Sequence, residues 1–145
     1  ILPHLLLHKT SLKQIQPKAV LEQLRAQLTH SQQQLIRTEA PSHFKAPSGR
    51  EFKIEYSATT APIIAVRIQE VFGLKATPRL ARSRVACVMH LLAPNYRPQQ
   101  ITNDLENFWR ETYLQVRKDL RRRYSKHAWP EDPHTYVHKP RQRRR

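Results

Sequence analysis

The chain has 145 residues, enough for one domain or for a small domain with appendages. Its 26 Lys and Arg outnumber its 11 Asp and Glu, and the resulting charge of +15 is typical of proteins that bind nucleic acid. A single cysteine, Cys87, excludes an internal disulfide and favours a reducing compartment, for which we expect the cytoplasm. No run of about 18 apolar residues occurs, so no membrane segment is predicted.

Residues 1–41 are predicted to form a helical segment that leads in from an upstream domain. Pro17 suits the first turn of one helix. Thr29 or Ser31 can cap the next, and Ser31 with Gln34 forms a weak capping box. The apolar residues at the very start lack a cover, so we expect the chain to be a piece of a longer polypeptide.

A change of hydrophobic period at His43 predicts a second domain, residues 42–133. Alternation on either side of the turn residues Pro47, Ser48 and Gly49 predicts a hairpin that ends near Tyr56, with Arg50 facing away from the buried side. A phosphate-binding loop is the weaker interpretation of this turn, because no Lys-Ser/Thr pair and no further glycine follow it.

The middle of this domain contains three further predicted elements. Ile63 to Phe72 fits a strand in its first half, but the helical spacing at its end and the following Gly73 favour a helix. Val85 to Leu92 is predicted to be a strand buried on both faces, and Gln99 to Ile101 a short strand that pairs with it.

The run from Ile101 to Pro133 is predicted to be one amphipathic helix followed by an aromatic hook. Asn103 with Glu106 forms a plausible capping box, and Asp104 adds a negative charge that favours the first turn. The predicted core face consists of Leu105, Phe108, Trp109, Thr112, Val116 and Leu120.

Residues 134–145 are predicted to be a basic tail, disordered when alone. The fold class is therefore α+β, with N-terminal helices, a small mixed or antiparallel sheet, a long amphipathic helix and a disordered basic tail.

Positive charge concentrates at the end of the chain. Residues 117–145 contain 11 Lys or Arg and 3 Asp or Glu, so they supply +8 of the net +15. Lys and Arg bind phosphates without reading sequence, and aromatic rings among them can stack on bases. The candidate nucleic-acid-binding residues are Arg117, Lys118, Arg121, Arg122, Arg123, Tyr124, Lys126, Trp129, Arg141, Arg143, Arg144 and Arg145.

Each of these features also has a structural interpretation. Cations suit the carbonyl end of a helix as well as an acidic partner. Trp109 lies on the predicted core face, and for Tyr124 and Trp129 packing and base stacking both remain open.

No active site is predicted in the chain. Cys87 and His90 lie inside an apolar run, so burial is favoured over nucleophilic catalysis. The pairs His4 with His8 and His134 with His138 lack a third ligand, and no metal site is predicted.

Four blocks, in order, resemble the C-terminal region of the bacterial HrpB-type ATP-dependent helicases, relatives of the DEAH-box RNA helicases. They are PSGREFKIEY at 47–56, RIQEVFGL with TPR at 67–79, HLLAPNYRPQQITNDLENFW at 90–109, and YLQVRKDLRRRYSKHAWPEDP at 113–133. Where that family often has a Gly before Arg-Tyr-Pro, this chain has Arg122 before Arg123, Tyr124 and Ser125.

The resemblance implies a parent protein with two RecA-like motor domains that hydrolyse ATP, with Mg²⁺, and move along single-stranded nucleic acid. None of their motifs occurs here, so no cofactor is expected in this chain. The resemblance further implies that this chain is a non-catalytic accessory module, which contacts single-stranded RNA or DNA and packs on the motor domains of the same polypeptide. The alternatives are a protein-docking domain without RNA contact and a freestanding basic RNA-binding protein.

Overall fold

The residues described in this computed structural model are 7–8 and 11–139. The chain divides into two units, residues 1–40 and residues 41–145. The sequence placed the corresponding boundary between residues 41 and 42.

The first unit is helical, as its periodicity predicts. It contains a 3-10 turn at Leu12–Gln14 and the helices α1, Pro17–Ala26, and α2, His30–Glu39. The cap of α2 is Thr29, whose side chain accepts a hydrogen bond from the Gln32 amide while the Gln32 side chain accepts one from the Thr29 amide. The capping box is therefore Thr29 with Gln32, and the predicted box of Ser31 with Gln34 is wrong.

The second unit is built on a mixed sheet. Among the residues that the structure describes, it has seven strands: β1 His43–Lys45, β2 Glu51–Glu55, β3 Ile63–Arg67, β4 Arg79–Leu80, β5 Val85–Ala86, β6 Val88–Leu92 and β7 Pro98–Thr102. Five of them form one sheet in the order β1-β2-β3-β6-β7, while β4 and β5 form a separate hairpin. Strands β3 and β6 run parallel, and the other neighbours are antiparallel. The predicted α+β class, the first hairpin and the strand near Gln99 are confirmed.

The predicted helix from Ile63 to Phe72 is wrong. Its first half is strand β3, and its second half is a 3-10 turn at Ile68–Val71. Ile64 and Val66 alternate into the core between two hydrogen-bonded neighbours, which suits β-branched residues better than a helix does. Gly73 has the expected positive φ of 92°, but it follows a 3-10 turn.

The late helix and the sheet contribute buried residues to one core. The late helix consists of α3, Leu105–Asn107, a π-helical stretch at Phe108–Thr112, and α4, Tyr113–Arg123. Its cap is Asp104, whose carboxylate accepts from the Asn107 amide at 3.0 Å, so the predicted Asn103 cap is wrong.

The π-helical stretch decides which residues of this helix are buried. The Tyr113 amide donates to the Phe108 carbonyl five residues earlier, which adds one residue to the turn. The added residue shifts the helical phase, so that Tyr113 becomes fully buried. Regular helical spacing predicts a core face without Tyr113, and this prediction is wrong at Tyr113.

The segment after the late helix packs back onto Phe72. Pro133–Thr135 forms a 3-10 turn, and the Gly73 amide donates to the Pro133 carbonyl at 2.8 Å. The Tyr136 ring lies 5.2 Å from the Phe72 ring, and His138 Nε2 donates to the Phe72 carbonyl at 2.8 Å. The predicted disorder from His134 onward is therefore wrong up to His138.

A buried carboxylate joins the 3-10 turn to the first hairpin. Glu70 is 7% exposed and accepts hydrogen bonds from the guanidinium groups of Arg50 and Arg67. Burial raises the pKa of Glu70, but hydrogen bonds from Ser48, Arg67 and Arg50 outweigh burial and leave that pKa below its ordinary value. The predicted outward orientation of Arg50 is corrected by this ion pair.

The lowered pKa of Glu70 gives stability a pH dependence. Because the folded chain binds this proton less readily than the unfolded chain, the contribution is complete above the ordinary pKa near 4.5 and is lost as the pH falls through the folded value. Glu70→Gln should lower the free energy of unfolding at pH 7 by about 2 kcal/mol. The difference from the unsubstituted chain should shrink on acidification below about pH 4.5 in denaturant titrations. Glu55→Gln, at an exposed strand position, is the control and should change neither quantity.

Candidate nucleic-acid interface

Three cations of α4 surround one shallow groove. Lys118, Arg121 and Arg122 are exposed and line, with Arg117 and Ser125, a depression of about 550 Å³. Positions three and four apart lie on one face of a helix, so the sequence spacing itself brings these side chains together. The groove is therefore open and rimmed by positive charge.

Of the four cations that line this groove, only Arg117 pairs with a carboxylate among the described residues, that of Glu131. Among the residues that the structure describes, Lys118, Arg121 and Arg122 form no ion pair. The nearest carboxylate in sequence, Asp119, accepts a long hydrogen bond of 3.5 Å from Gln115. A multivalent anion such as a phosphate chain is the chemical partner that such a surface suits.

Arg117 plays a different part from its neighbours. Its side chain is 13% exposed, its Nε donates to the Trp129 carbonyl at 2.8 Å, and it reaches Glu131 at 3.4 Å. Arg117 therefore fastens the segment after the helix to α4. Helical spacing could not predict this hydrogen bond of Arg117, because the acceptor lies in an irregular segment.

The aromatic candidates pack inside the domain. Trp129 is 7% exposed, and its indole N–H donates to the Tyr124 carbonyl at 2.9 Å. Tyr124 is half-buried against the same core. Tyr113 adds a hydrogen bond to the Pro130 carbonyl at 2.8 Å, and burial raises the pKa of its hydroxyl. The sequence left both packing and base stacking open for Trp129 and Tyr124, and in the structure both side chains pack against the core.

The remaining predicted residues lie elsewhere. Arg123 and Lys126 are exposed. Arg123 is five residues from Lys118, so it projects about 140° away around the helix. The terminal candidates Arg141, Arg143, Arg144 and Arg145 lie outside the described residues.

The contrast between Arg117 and Lys118 can be tested directly. Arg117→Gln should lower the free energy of unfolding by about 1–3 kcal/mol, because the buried Trp129 carbonyl loses a charged donor. Lys118→Gln, one position along, should change it by less than about 0.5 kcal/mol. Denaturant unfolding of both variants measures this difference, and equal stability would contradict the structural role of Arg117.

Cys87 and His90 lie on different faces of the chain at β6, and only Cys87 belongs to the core. Cys87 is fully buried on the core side with Met89 and Leu91, while His90 lies between them on the other face of the strand. Burial raises the pKa of the Cys87 thiol, which disfavours the nucleophilic thiolate.

Metal-binding and membrane-spanning features are absent from the described residues. No group of three His, Cys, Asp or Glu side chains there is arranged to hold a metal ion. No helix in the same part of the chain is long and apolar enough to cross a membrane.

The family model that matches this chain describes the C-terminal domain of a class of helicases. Residues 1–133 match the family model for the C-terminal region of ATP-dependent helicases of the HrpB type, and the chain belongs to this family. The resemblance drawn from the four sequence blocks is confirmed.

This chain is similar to HrpB proteins of E. coli in sequence and in structure. The chain is 40% identical over 134 residues to the ATP-dependent RNA helicase HrpB of Escherichia coli K12, covering 92% of this chain and 16% of the relative. The crystal structure of the E. coli DExH-box NTPase HrpB matches 98% of this chain with a TM-score of 0.89 at 38% identity, over 18% of that protein. A crystal structure of the E. coli DEAH/RHA helicase HrpB matches 88% of this chain with a TM-score of 0.67 at 38% identity, over 16% of that protein. The chain thus spans less than a fifth of the length of these relatives.

Proposed function

We propose that this chain is a non-catalytic accessory module of an ATP-dependent RNA helicase, and that it supplies contacts to single-stranded RNA and packs on the motor domains of its own polypeptide. The observation that carries the RNA contact is the groove of α4, where Lys118, Arg121 and Arg122 are exposed without ion-pair partners among the described residues. ATP and Mg²⁺ belong, in this proposal, to the motor. This chain has only 2 Gly and no Gly-rich loop that precedes a Lys-Ser/Thr pair.

The recognition that such a groove offers is independent of base sequence. The aromatic rings beside it pack into the core, so base stacking contributes little and phosphate contacts supply the affinity. A single strand bends to follow a short groove more readily than a duplex does, and we therefore favour single-stranded RNA.

Salt dependence of binding tests the proposal. The 145-residue chain is titrated with an oligouridine and with an oligocytidine of equal length over a range of KCl concentrations. If about six phosphates are contacted, the slope of log K against log salt is about −4, and the two sequences bind equally. A flat salt response would overturn the RNA role.

The competing function is a docking face for protein. The same exposed cations would then pair with carboxylates of a motor domain. In that case, substitution of the three groove cations would weaken association with the motor and leave the RNA affinity of the chain unchanged.

A further inference from the structure

A second group of cations lies on the β4–β5 hairpin and on the segment that leads into it. Residues 71–103 contain no Asp or Glu. Lys75, Arg79 and Arg84 are exposed, and none of the three forms an ion pair within the part of the chain that the structure describes. These three side chains therefore carry positive charge that the described carboxylates leave unneutralised.

The hairpin is anchored by Leu80, and its cations Arg79 and Arg84 are exposed. Leu80 packs against the core, whereas the neighbouring Arg79 is exposed and pairs across the two-stranded sheet with Ala86. Successive strand positions alternate between faces, so Leu80 anchors the hairpin while Arg79 points away from the anchor.

The tip of the hairpin is held in an unfavourable backbone conformation. Three consecutive residues with side chains, Ala81, Arg82 and Ser83, have φ values of 50°, 55° and 62°. The Arg84 amide donates to the Ala81 carbonyl at 3.1 Å, and Arg79 Nε donates to the Ser83 carbonyl at 2.7 Å. Strained segments of this kind persist where the surrounding structure holds them, and they concentrate at functional sites. Two hydrogen bonds therefore hold the tip in this conformation.

The hairpin and the groove of α4 lie toward opposite ends of one helix. The Thr77 hydroxyl, next to the hairpin, donates to the Asn103 carbonyl at 2.9 Å and accepts from the Leu105 amide at 2.8 Å at the helix start. Lys118 and Arg122 follow 13 and 17 residues after Leu105. At 1.5 Å per residue, the helix start that Thr77 contacts lies about 20–25 Å along the helix from Lys118 and Arg122.

We infer that the β4–β5 hairpin is a second phosphate-binding element, and that one single-stranded RNA contacts the hairpin and the α4 groove together. This inference rests on the proposed function, because it adds a second contact for the same strand. Two linked contacts raise the affinity through effective concentration, provided that the strand reaches both. Affinity for RNA should therefore rise steeply once the strand is long enough to connect them.

The test compares short and long RNA on the double variant Lys75→Gln/Arg84→Gln. Arg79 is kept because its guanidinium holds the tip. Oligouridines of about 4 and about 16 nucleotides bracket the length of chain that a small binding module covers. At about 0.1 M salt each lost phosphate contact costs roughly fivefold in affinity, so the long RNA should bind about 25-fold more weakly and the short RNA less than twofold.

The matched control is Lys45→Gln/Lys53→Gln, which removes the same charge from exposed positions on β1 and β2. It should leave binding of both lengths within about twofold of the unsubstituted chain. Thermal unfolding of each variant shows that the fold is retained. If the double variant does not fold, the single variant Arg84→Glu provides the same comparison, with a loss confined to the long RNA.

The outcomes separate the inference from the proposed function. If the chain binds RNA with the expected salt slope but the hairpin variant matches the control on long RNA, the second element is overturned and the α4 groove stands. If the unsubstituted chain binds neither length, both proposals fail.

Discussion

Replacing the three groove cations together, as Lys118→Gln/Arg121→Gln/Arg122→Gln, should weaken binding of single-stranded RNA about a hundredfold at about 0.1 M salt. Each phosphate contact to a single strand contributes about 0.7 to the salt slope, which corresponds to roughly a fivefold change in affinity at this concentration. Three lost contacts should also make the slope shallower by about 2. Fluorescence anisotropy at several salt concentrations measures both quantities.

A control variant with the same net charge distinguishes RNA binding at the groove from general attraction of RNA by the positive net charge. Lys45→Gln/Lys53→Gln/Arg97→Gln removes three exposed cations outside the late helix and changes the net charge by the same amount. The groove variant should lose far more affinity than this control. Equal losses in the two variants would mean that net charge, and not the groove, attracts the RNA.

Removing the ring of Phe72 should strongly destabilise the second unit. Phe72 is fully buried, and its ring meets the rings of Trp109, Tyr113, Trp129 and Tyr136 at centroid distances of 5.2 to 6.4 Å. Phe72→Ala leaves a cavity at the point where the 3-10 turn, the late helix and the C-terminal segment meet. The expected loss is about 3–5 kcal/mol of unfolding free energy. In a unit of this size the melting temperature should fall by about 12 °C or more.

Leu114→Ala is the comparison for this truncation. Leu114 is 53% exposed on α4, so its removal creates no cavity and should cost less than about 0.5 kcal/mol. A Phe72→Ala variant whose stability resembled that of Leu114→Ala would show that the aromatic cluster does not hold the segment. Calorimetry on both variants gives the comparison.

Most elements could be predicted because their signals are local. The first hairpin follows from alternation around a Pro and Gly turn, and the helix of residues 105–123 follows from apolar spacing. The row of Lys118, Arg121 and Arg122 is equally local, since helical spacing alone places these residues on one face. The four sequence blocks were sufficient to indicate the helicase family.

Other features depend on partners that are distant in sequence. Ile63 to Phe72 satisfies both a helical and a strand pattern, and only β2 and β6 on either side make the first half a strand. Arg117 and Arg121 look alike in the sequence, yet only Arg117 finds a carbonyl acceptor, at Trp129. The sequence shows the cations of the hairpin, but it does not predict that the hairpin lies near the start of the late helix.

The sequence by itself determined the charge, the α+β pattern, the family and the row of cations on α4, because each depends on composition or on spacing within one element. The tertiary structure alone decided which cations remain unpaired, which aromatic rings are buried, and how the C-terminal segment closes over Phe72. The physical reason is that burial and hydrogen bonding depend on groups brought together from separate parts of the chain.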